Sequence, residues 1–300
     1  MNFPHIYSKI RDIMTRTRLL LHFTPLGVPF LLLFLGGFSL TVAQSFGWFT
    51  PLTFTADRFD GYLRLLSPSF LESFLFTVYV AFTSAFLATA GGAILAWAIW
   101  SLPTWMQRSS NFYKTSLVLP HIAVAFIVMT LFARSGVISS LAHALGLISS
   151  MREFPSILYS GNGLGLILAY IYKGLGFSIL MTHTALCGLD RRLPIAARML
   201  GAGRVRIFFT VIAPHMAPAL NTAFLILFLY AFGAFDIASL LSESRPAMLS
   251  IDIYNLYFKR DLVNRPAAMA MLVSMFFFST LFIAFYVKIA RSIHGQGRKL

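Results

Sequence analysis

Six apolar stretches, each long enough to cross a hydrocarbon layer, constrain this chain more than any other feature: about Pro25–Ser45, Glu72–Leu102, Tyr113–Ala133, Gly163–Cys187, Met216–Leu241 and Pro266–Ile289. A span takes ~20 residues. No water is present in that layer, so a single segment must satisfy its own backbone N–H and C=O groups, and each span is expected to be a helix. No ~10-residue alternating pattern suggests a barrel. The expected fold class is all-α, a polytopic membrane bundle of six transmembrane helices. Composition agrees: 58% of residues are hydrophobic and 11% charged, against about 25% charged in soluble domains. A single cysteine, Cys187, excludes an internal disulfide and a thiolate metal cluster.

The spacing divides the chain into a basic leader at 1–24, a membrane domain at 25–290 with a long loop at 188–214, and a tail at 291–300. Thr41-Val42-Ala43 resembles a signal cleavage site, but an apolar core of about 20 residues exceeds the usual 7–15 of a signal peptide, so the first span reads as a retained anchor. The formal net charge is +14. Fifteen basic residues lie on one side of the spans, in the leader, at Arg108 and Lys114, in the 188–214 loop and in the tail; eight lie on the other. The positive-inside rule makes the richer side cytoplasmic and puts both termini there. That face accounts for the excess charge without nucleic acid as a partner.

The 188–214 loop is folded in this reading. Pro194 suits a helix's first turn, Ile195-Ala196-Ala197-Arg198-Met199-Leu200 follows, and Gly201 stops it in the left-handed conformation. A second helix is expected from about Gly203, with Val205, Phe208, Phe209 and Ile212 forming one apolar stripe at i, i+3, i+4 and i+7. A short helix with paired alanines before a sharp turn reads as a docking element; the alternative is an amphipathic loop lying on lipid headgroups. Outside, Ser250–Lys259 is expected as an interfacial helix. Gly91-Gly92 and Gly163–Gly165 read as sites of close helix packing.

Ala196, Ala197, Gly201, Ala202, Val211 and Pro214, with Leu193-Pro194 ahead of them, resemble the EAA loop of the MetI-like family of binding-protein-dependent ABC importer permeases. Ile195 stands where that family usually has an acid, and Ala213 where it usually has Leu. The resemblance covers about residues 70–289. It implies a MetI-like permease fold, a bacterial inner-membrane location, and a coupling helix around Ile195–Leu200 seated in an ATP-hydrolysing subunit, with Ile195, Ala196, Ala197, Arg198, Leu200, Gly201, Ala202 and Pro214 as the coupling residues. The implied partners are that ATPase, a second permease subunit and a periplasmic solute-binding protein. ATP would sit on the partner: this chain has no G-x-x-x-x-G-K-[ST] and is expected to bind no cofactor or metal and to catalyse no reaction.

Ionisable residues inside a span cost ~2.5–3.5 kcal/mol each and are functional candidates by default. Lys173 lies deep in the fourth span, before Gly174 and Gly176 that would loosen the helix; Asp236 lies in the outer part of the fifth. They are expected to line or gate the cavity, paired or separately; the alternatives are a structural ion pair or an Asp236 that simply reaches the interface. Polyamine, ferric-iron and thiamine permeases look similar at these positions. Pro120 frees a backbone carbonyl one turn back in the third span, and His121 offers a polar group beside it. The rival class is a secondary transporter or channel working without an ATPase, which would need no docking loop.

Overall fold

The computed structural model describes the backbone of residues 3–49 and 58–296 and the side chains of residues 22–49, 58–103, 105–107 and 111–290. The side chains of Lys9, Arg11, Arg16, Arg18, Arg108, Arg291, Arg298 and Lys299, part of the charge count, lie outside the described residues. In chain order the helices are α1 (Phe3–Ser45), α2 (Asp60–Leu63), α3 (Pro68–Ser101), α4 (Thr104–Ser109), α5 (Thr115–Val118), α6 (His121–Phe132), α7 (Val137–Ala144), α8 (Leu164–Cys187), α9 (Arg192–Met199), α10 (Arg204–Ile207), α11 (Ala213–Gly233), α12 (Asp236–Leu241), α13 (Leu249–Tyr254) and α14 (Arg265–Gln296). Six helical segments are long and apolar enough to span a membrane: His22–Ser45, Pro68–Ser101, His121–Ala144, Leu164–Cys187, Arg204–Gly233 and Leu262–Ala290.

The bundle is organised around α3 and α8. Ser67 caps α3, its Oγ accepting the Phe70 N–H at 3.3 Å, and Pro68 takes the first helical position, where a missing N–H costs nothing. One face of α3 is a stripe of small residues at three- and four-residue intervals: Thr77, Ala81, Ser84, Ala88 and Gly92 are all buried. Small side chains let backbones approach, the main source of helix association where lipid supplies no hydrophobic drive. A Cβ at Gly92 would overlap the Ser178 side chain of α8, and one at Gly174 would stand 2.8 Å from Ala88 Cβ and 3.2 Å from Leu227. Gly176 is equally enclosed, against Ser116 and the Tyr113 carbonyl. These two glycines therefore do not loosen the fourth span: α8 is unbroken, and they mark where neighbouring elements press on it.

Around this pair, α11 and α14 add aromatic layers, Phe228 stacking on Phe282 at 4.0 Å and Phe74 meeting Phe278 edge-on. α1 lies outside them, Phe38 packing on Phe276 at 4.3 Å, with most of the apolar surface of residues 22–45 exposed as a lipid-facing helix requires.

Two spans depart from the expected bounds. The third does not begin at Tyr113: residues before Pro120 form a separate short turn, and α6 starts at His121 with Pro120 as its cap. The fifth does not reach Leu241. α11 ends at Gly233, Ala234 is extended, and its carbonyl accepts the Ser250 hydroxyl at 2.8 Å. Asp236 therefore opens α12 instead of lying inside the span. The segment around Ser250–Lys259 is helical as expected but packs into the bundle, burying Leu249, Ile253 and Leu256, with the Leu249 N–H capped by Thr77 Oγ1 of α3 at 2.8 Å.

Candidate functional site

Two places concentrate the candidate residues: the elbow between α8 and α11, and a cavity beside the broken third span.

The elbow rests on its own small core. Leu186, Leu189, Ile207, Ile212 and Met216 bury against Ala93, Ala96 and Ile179, and Trp97 packs on Phe208 at 4.7 Å. Asp190 Oδ1 accepts the Arg192 N–H at 2.9 Å and opens α9. The close of α9 is a paired cap: the Gly201 N–H donates to the Arg198 carbonyl and the Ala202 N–H to the Ala197 carbonyl, both at 3.0 Å. This closure needs a left-handed residue, and Gly201 supplies it at φ +83°. Ala197 and Ala202 pack inward on the elbow core. Ile195, Ala196, Arg198, Met199 and Leu200 are left facing out, Met199 85% and Leu200 89% exposed. Apolar side chains displayed this fully on a rigid, capped turn form a surface that burial by a partner would stabilise by about 1.5–3 kcal/mol per residue.

The expected stripe on the second helix packs only in part. Ile212 is buried and Phe208 packs on the elbow core, but Val205 and Phe209 are 71% and 67% exposed, and Ile207, outside the stripe, is buried. Phe208–Ile212 is a π-helical turn, in which residues five apart share a face, so a 3.6-residue period read through it misassigns some of the side chains. Pro214 explains the wide turn: a proline inside a continuous helix clashes with the carbonyl four residues back, and an inserted residue relieves it. Pro214 belongs to the start of α11, apart from the outward face of α9.

The cavity lies between α3, α5, α6, α8 and α11, with a volume of about 240 Å³. Pro120 has no N–H, so the Ser116 carbonyl four residues back loses its helical donor, and the extended backbone at Leu119 strands a second carbonyl. Lys173 reaches from α8 and serves both, its Nζ 2.7 Å from each oxygen. The side chain is only 9% exposed. No ion pair joins it to Asp236 among the described residues; Asp236 Oδ2 instead stands 3.9 Å from His121 Nδ1. The expected pair is thus replaced by two arrangements. Lys173 is turned to the carbonyls because the proline leaves them unpaired, and Asp236 is held away because the chain breaks before it.

Lys173, His121 and the Pro120 break therefore meet on one cavity wall, with Asp236 next to His121 at its edge. Sequence reasoning missed Tyr170 and Tyr230, which line the same wall. They were hidden in an aromatic-rich chain, where a ring is ordinarily packing; the signal available was that Tyr170 lies three residues before Lys173, hence on the same helix face. Glu243 was also missed. It is buried at the end of the bundle away from the elbow, its Oε1 accepting the Gly163 N–H at 3.4 Å at the start of α8, where a carboxylate complements the helix dipole. Nearby, burial holds the Asp252 carboxyl above its usual range, opposed by a Ser73 hydrogen bond and by Arg260 and Arg245.

A family model described as the binding-protein-dependent transport system inner membrane component matches residues 88–295. The chain is 27% identical over 169 residues to the sn-glycerol-3-phosphate transport system permease protein UgpA of Pectobacterium atrosepticum, covering 55% of each, so it spans about half the length of that relative. It is 24% identical to the spermidine/putrescine transport system permease protein PotB of Escherichia coli, over 67% of this chain and 70% of that one. The fold matches a chain of a bacterial ABC transporter involved in import of the acidic polysaccharide alginate, with a TM-score of 0.76 at 18% identity, over 95% of this chain and 99% of that one.

Proposed function

The chain belongs to the binding-protein-dependent transport system inner membrane component family, and on that premise we propose that it is the membrane-spanning permease subunit of a bacterial ABC importer. The observation that carries this reading is the outward apolar face of α9, closed by Gly201 and anchored on its own core. A separate ATPase subunit docks there, binds ATP and supplies the energy. Its closure moves α9, and the elbow core transmits the displacement to α3, α8 and α11, because packed interfaces switch between discrete arrangements. Two permease chains, identical or related, frame the pathway. A periplasmic solute-binding protein delivers a small solute at the end that carries Glu243 and the start of α8, and both termini face the cytoplasm.

The coupling residues divide by role. Ile195, Met199 and Leu200 offer apolar contact, Ala196 lets the partner's backbone approach, and Arg198 supplies charge at the rim. Ala197, Ala202 and Gly201 hold the turn, and Pro214 sets the entry of α11. Apolar Ile195 in place of the family's acid points to a docking cleft held mainly by burial. The polyamine, ferric-iron or thiamine expectation rests on the likeness of that branch at Lys173 and Asp236; the relatives include a spermidine/putrescine permease beside a glycerol-3-phosphate one, and the solute class is taken up from the cavity itself below.

Affinity purification of the full chain from its native host in mild detergent tests the reading. An ATPase subunit should co-elute, and Met199→Glu/Leu200→Glu should lower its recovery and solute uptake together by about tenfold or more. Uptake that persists under an ion gradient after ATP depletion would favour a secondary transporter and overturn the proposal.

A further inference from the structure

The cavity between α3, α5, α6, α8 and α11 is lined mainly by apolar side chains, with Ser84, His121, Tyr170, Lys173 and Tyr230 as its polar groups and no carboxylate among the described lining residues. Lys173 supplies its charge. The Ser116 and Leu119 carbonyls take two of the three N–H bonds an ammonium carries. One donor remains for a ligand. Tyr170, 4% exposed, and Tyr230 stand on the same wall with ring centroids 6.3 Å apart, and neither hydroxyl has a hydrogen-bond partner among the described residues. Buried hydroxyls are almost always paired, so two unpaired neighbours beside a buried lysine mark groups kept for something that enters. Asp236 stands at the cavity's edge beside His121, outside the lining but near enough for its charge to act on both tyrosines.

We propose that this cavity is a subsite on the translocation path for an oxyanion group of the transported solute, a phosphate, sulfate or carboxylate, bound by Lys173 Nζ and the Tyr170 and Tyr230 hydroxyls. The proposal rests on the importer reading above and adds the solute class to it. Charge-assisted hydrogen bonds from an ammonium and two hydroxyls compensate an anionic oxygen for lost water, and in a low-dielectric interior they are about twice as strong as neutral ones. A cationic solute would meet Lys173 as a like charge. A neutral sugar would pair with the hydroxyls and leave the ammonium unused. At about 240 Å³ the space takes a small charged head in place of a whole bulky solute.

The test is equilibrium dialysis of the full chain co-purified with its ATPase in neutral detergent, with no solute-binding protein present. The probes are labelled sulfate, sn-glycerol 3-phosphate and acetate, with spermidine and glucose as counter-probes. At least one oxyanion should bind saturably, spermidine should not compete, and Tyr170→Phe/Tyr230→Phe should weaken that binding about tenfold at unchanged thermal stability. This variant removes two oxygens and keeps both rings, so it tests the site without the folding risk of replacing Lys173. Tighter binding of spermidine or glucose, oxyanion binding indifferent to the double variant, or no binding in the millimolar range would each overturn the proposal. Displacement of the oxyanion by phosphatidylglycerol at equal occupancy would assign the site to a lipid headgroup and overturn it as well. If the ATPase co-purifies while the oxyanion arm fails, only the subsite falls; absence of the ATPase counts against the importer reading itself.

Discussion

Lys173 Nζ lies 2.7 Å from the carbonyl oxygen of Ser116, the oxygen that an ordinary residue at position 120 would have served with its own N–H. A side chain on one span thus substitutes for a main-chain donor that proline removed from another. The buried lysine and the break in the third span form one device, in which each accounts for the other.

Lys173→Met should therefore destabilise the protein by about 2–4 kcal/mol, the cost of two buried carbonyls left without donors. Pro120→Ala lifts the restriction that holds Leu119 extended and lets the helix continue, offering a main-chain N–H to Ser116, so Lys173→Met/Pro120→Ala should lose less than Lys173→Met alone. Thermal unfolding in detergent reads both. A melting temperature for Lys173→Met equal to that of the parent would show that the cap contributes nothing.

Gly92 and Ser178 make a second pair. A Cβ at Gly92 runs into the Ser178 side chain, whose hydroxyl has no hydrogen-bond partner to lose. Gly92→Ala is expected to cost about 1–3 kcal/mol by forcing α3 from α8, and Ser178→Gly in that background should recover part of it. Independent, additive losses in a double-mutant cycle would contradict a direct clash.

At Gly201 the constraint is conformation alone. No atom would meet an added Cβ within 4 Å, yet φ is +83°. Gly201→Val should open the end of α9 and lower recovery of the ATPase subunit, whereas Gly201→Asn, which tolerates the left-handed region, should retain most of it. Gly203, with φ −70° and equally open surroundings, is the control: Gly203→Ala should behave as the parent. Equal recovery for Gly201→Val and Gly203→Ala would separate the turn from docking.

Asp252 gives a pH dependence with a definite sign. Its folded carboxyl is held above 3.8 by burial, so the native state binds the proton more tightly than the unfolded chain does. Its contribution to stability is fully present below pH 3.8 and is lost as pH rises through the raised value. Asp252→Asn should flatten the melting-temperature profile over that interval and raise stability above it. A profile identical to that of the parent would remove Asp252 as the source.

The bundle and the elbow were legible in the sequence because their signals are local: apolar length defines a span, and proline, alanines and glycine in order define a capped turn. Ile207 was not, and exposed Val205 and Phe209 share the assumed stripe with Phe208 and Ile212, since a single wide turn shifts residues relative to the assumed period. The pairing of Lys173 was also illegible. Sequence distance said that it was buried, but its partners are main-chain oxygens more than fifty positions away, and carbonyls leave no mark in a residue alphabet. Asp236 was misplaced because an apolar run continues across the break at Ala234, whose freed carbonyl accepts the Ser250 hydroxyl.

The wide turn at Phe208–Ile212 has a consequence for how this protein tolerates change. Because a helix advances about 100° per residue, removing one amino acid there would swivel the elbow by roughly that angle while shortening the path by only about 1.5 Å. The aim of the ATPase-facing surface is thus indexed by chain length, and single-codon deletions between Arg206 and Pro214 should be far more damaging than conservative replacements at the same positions.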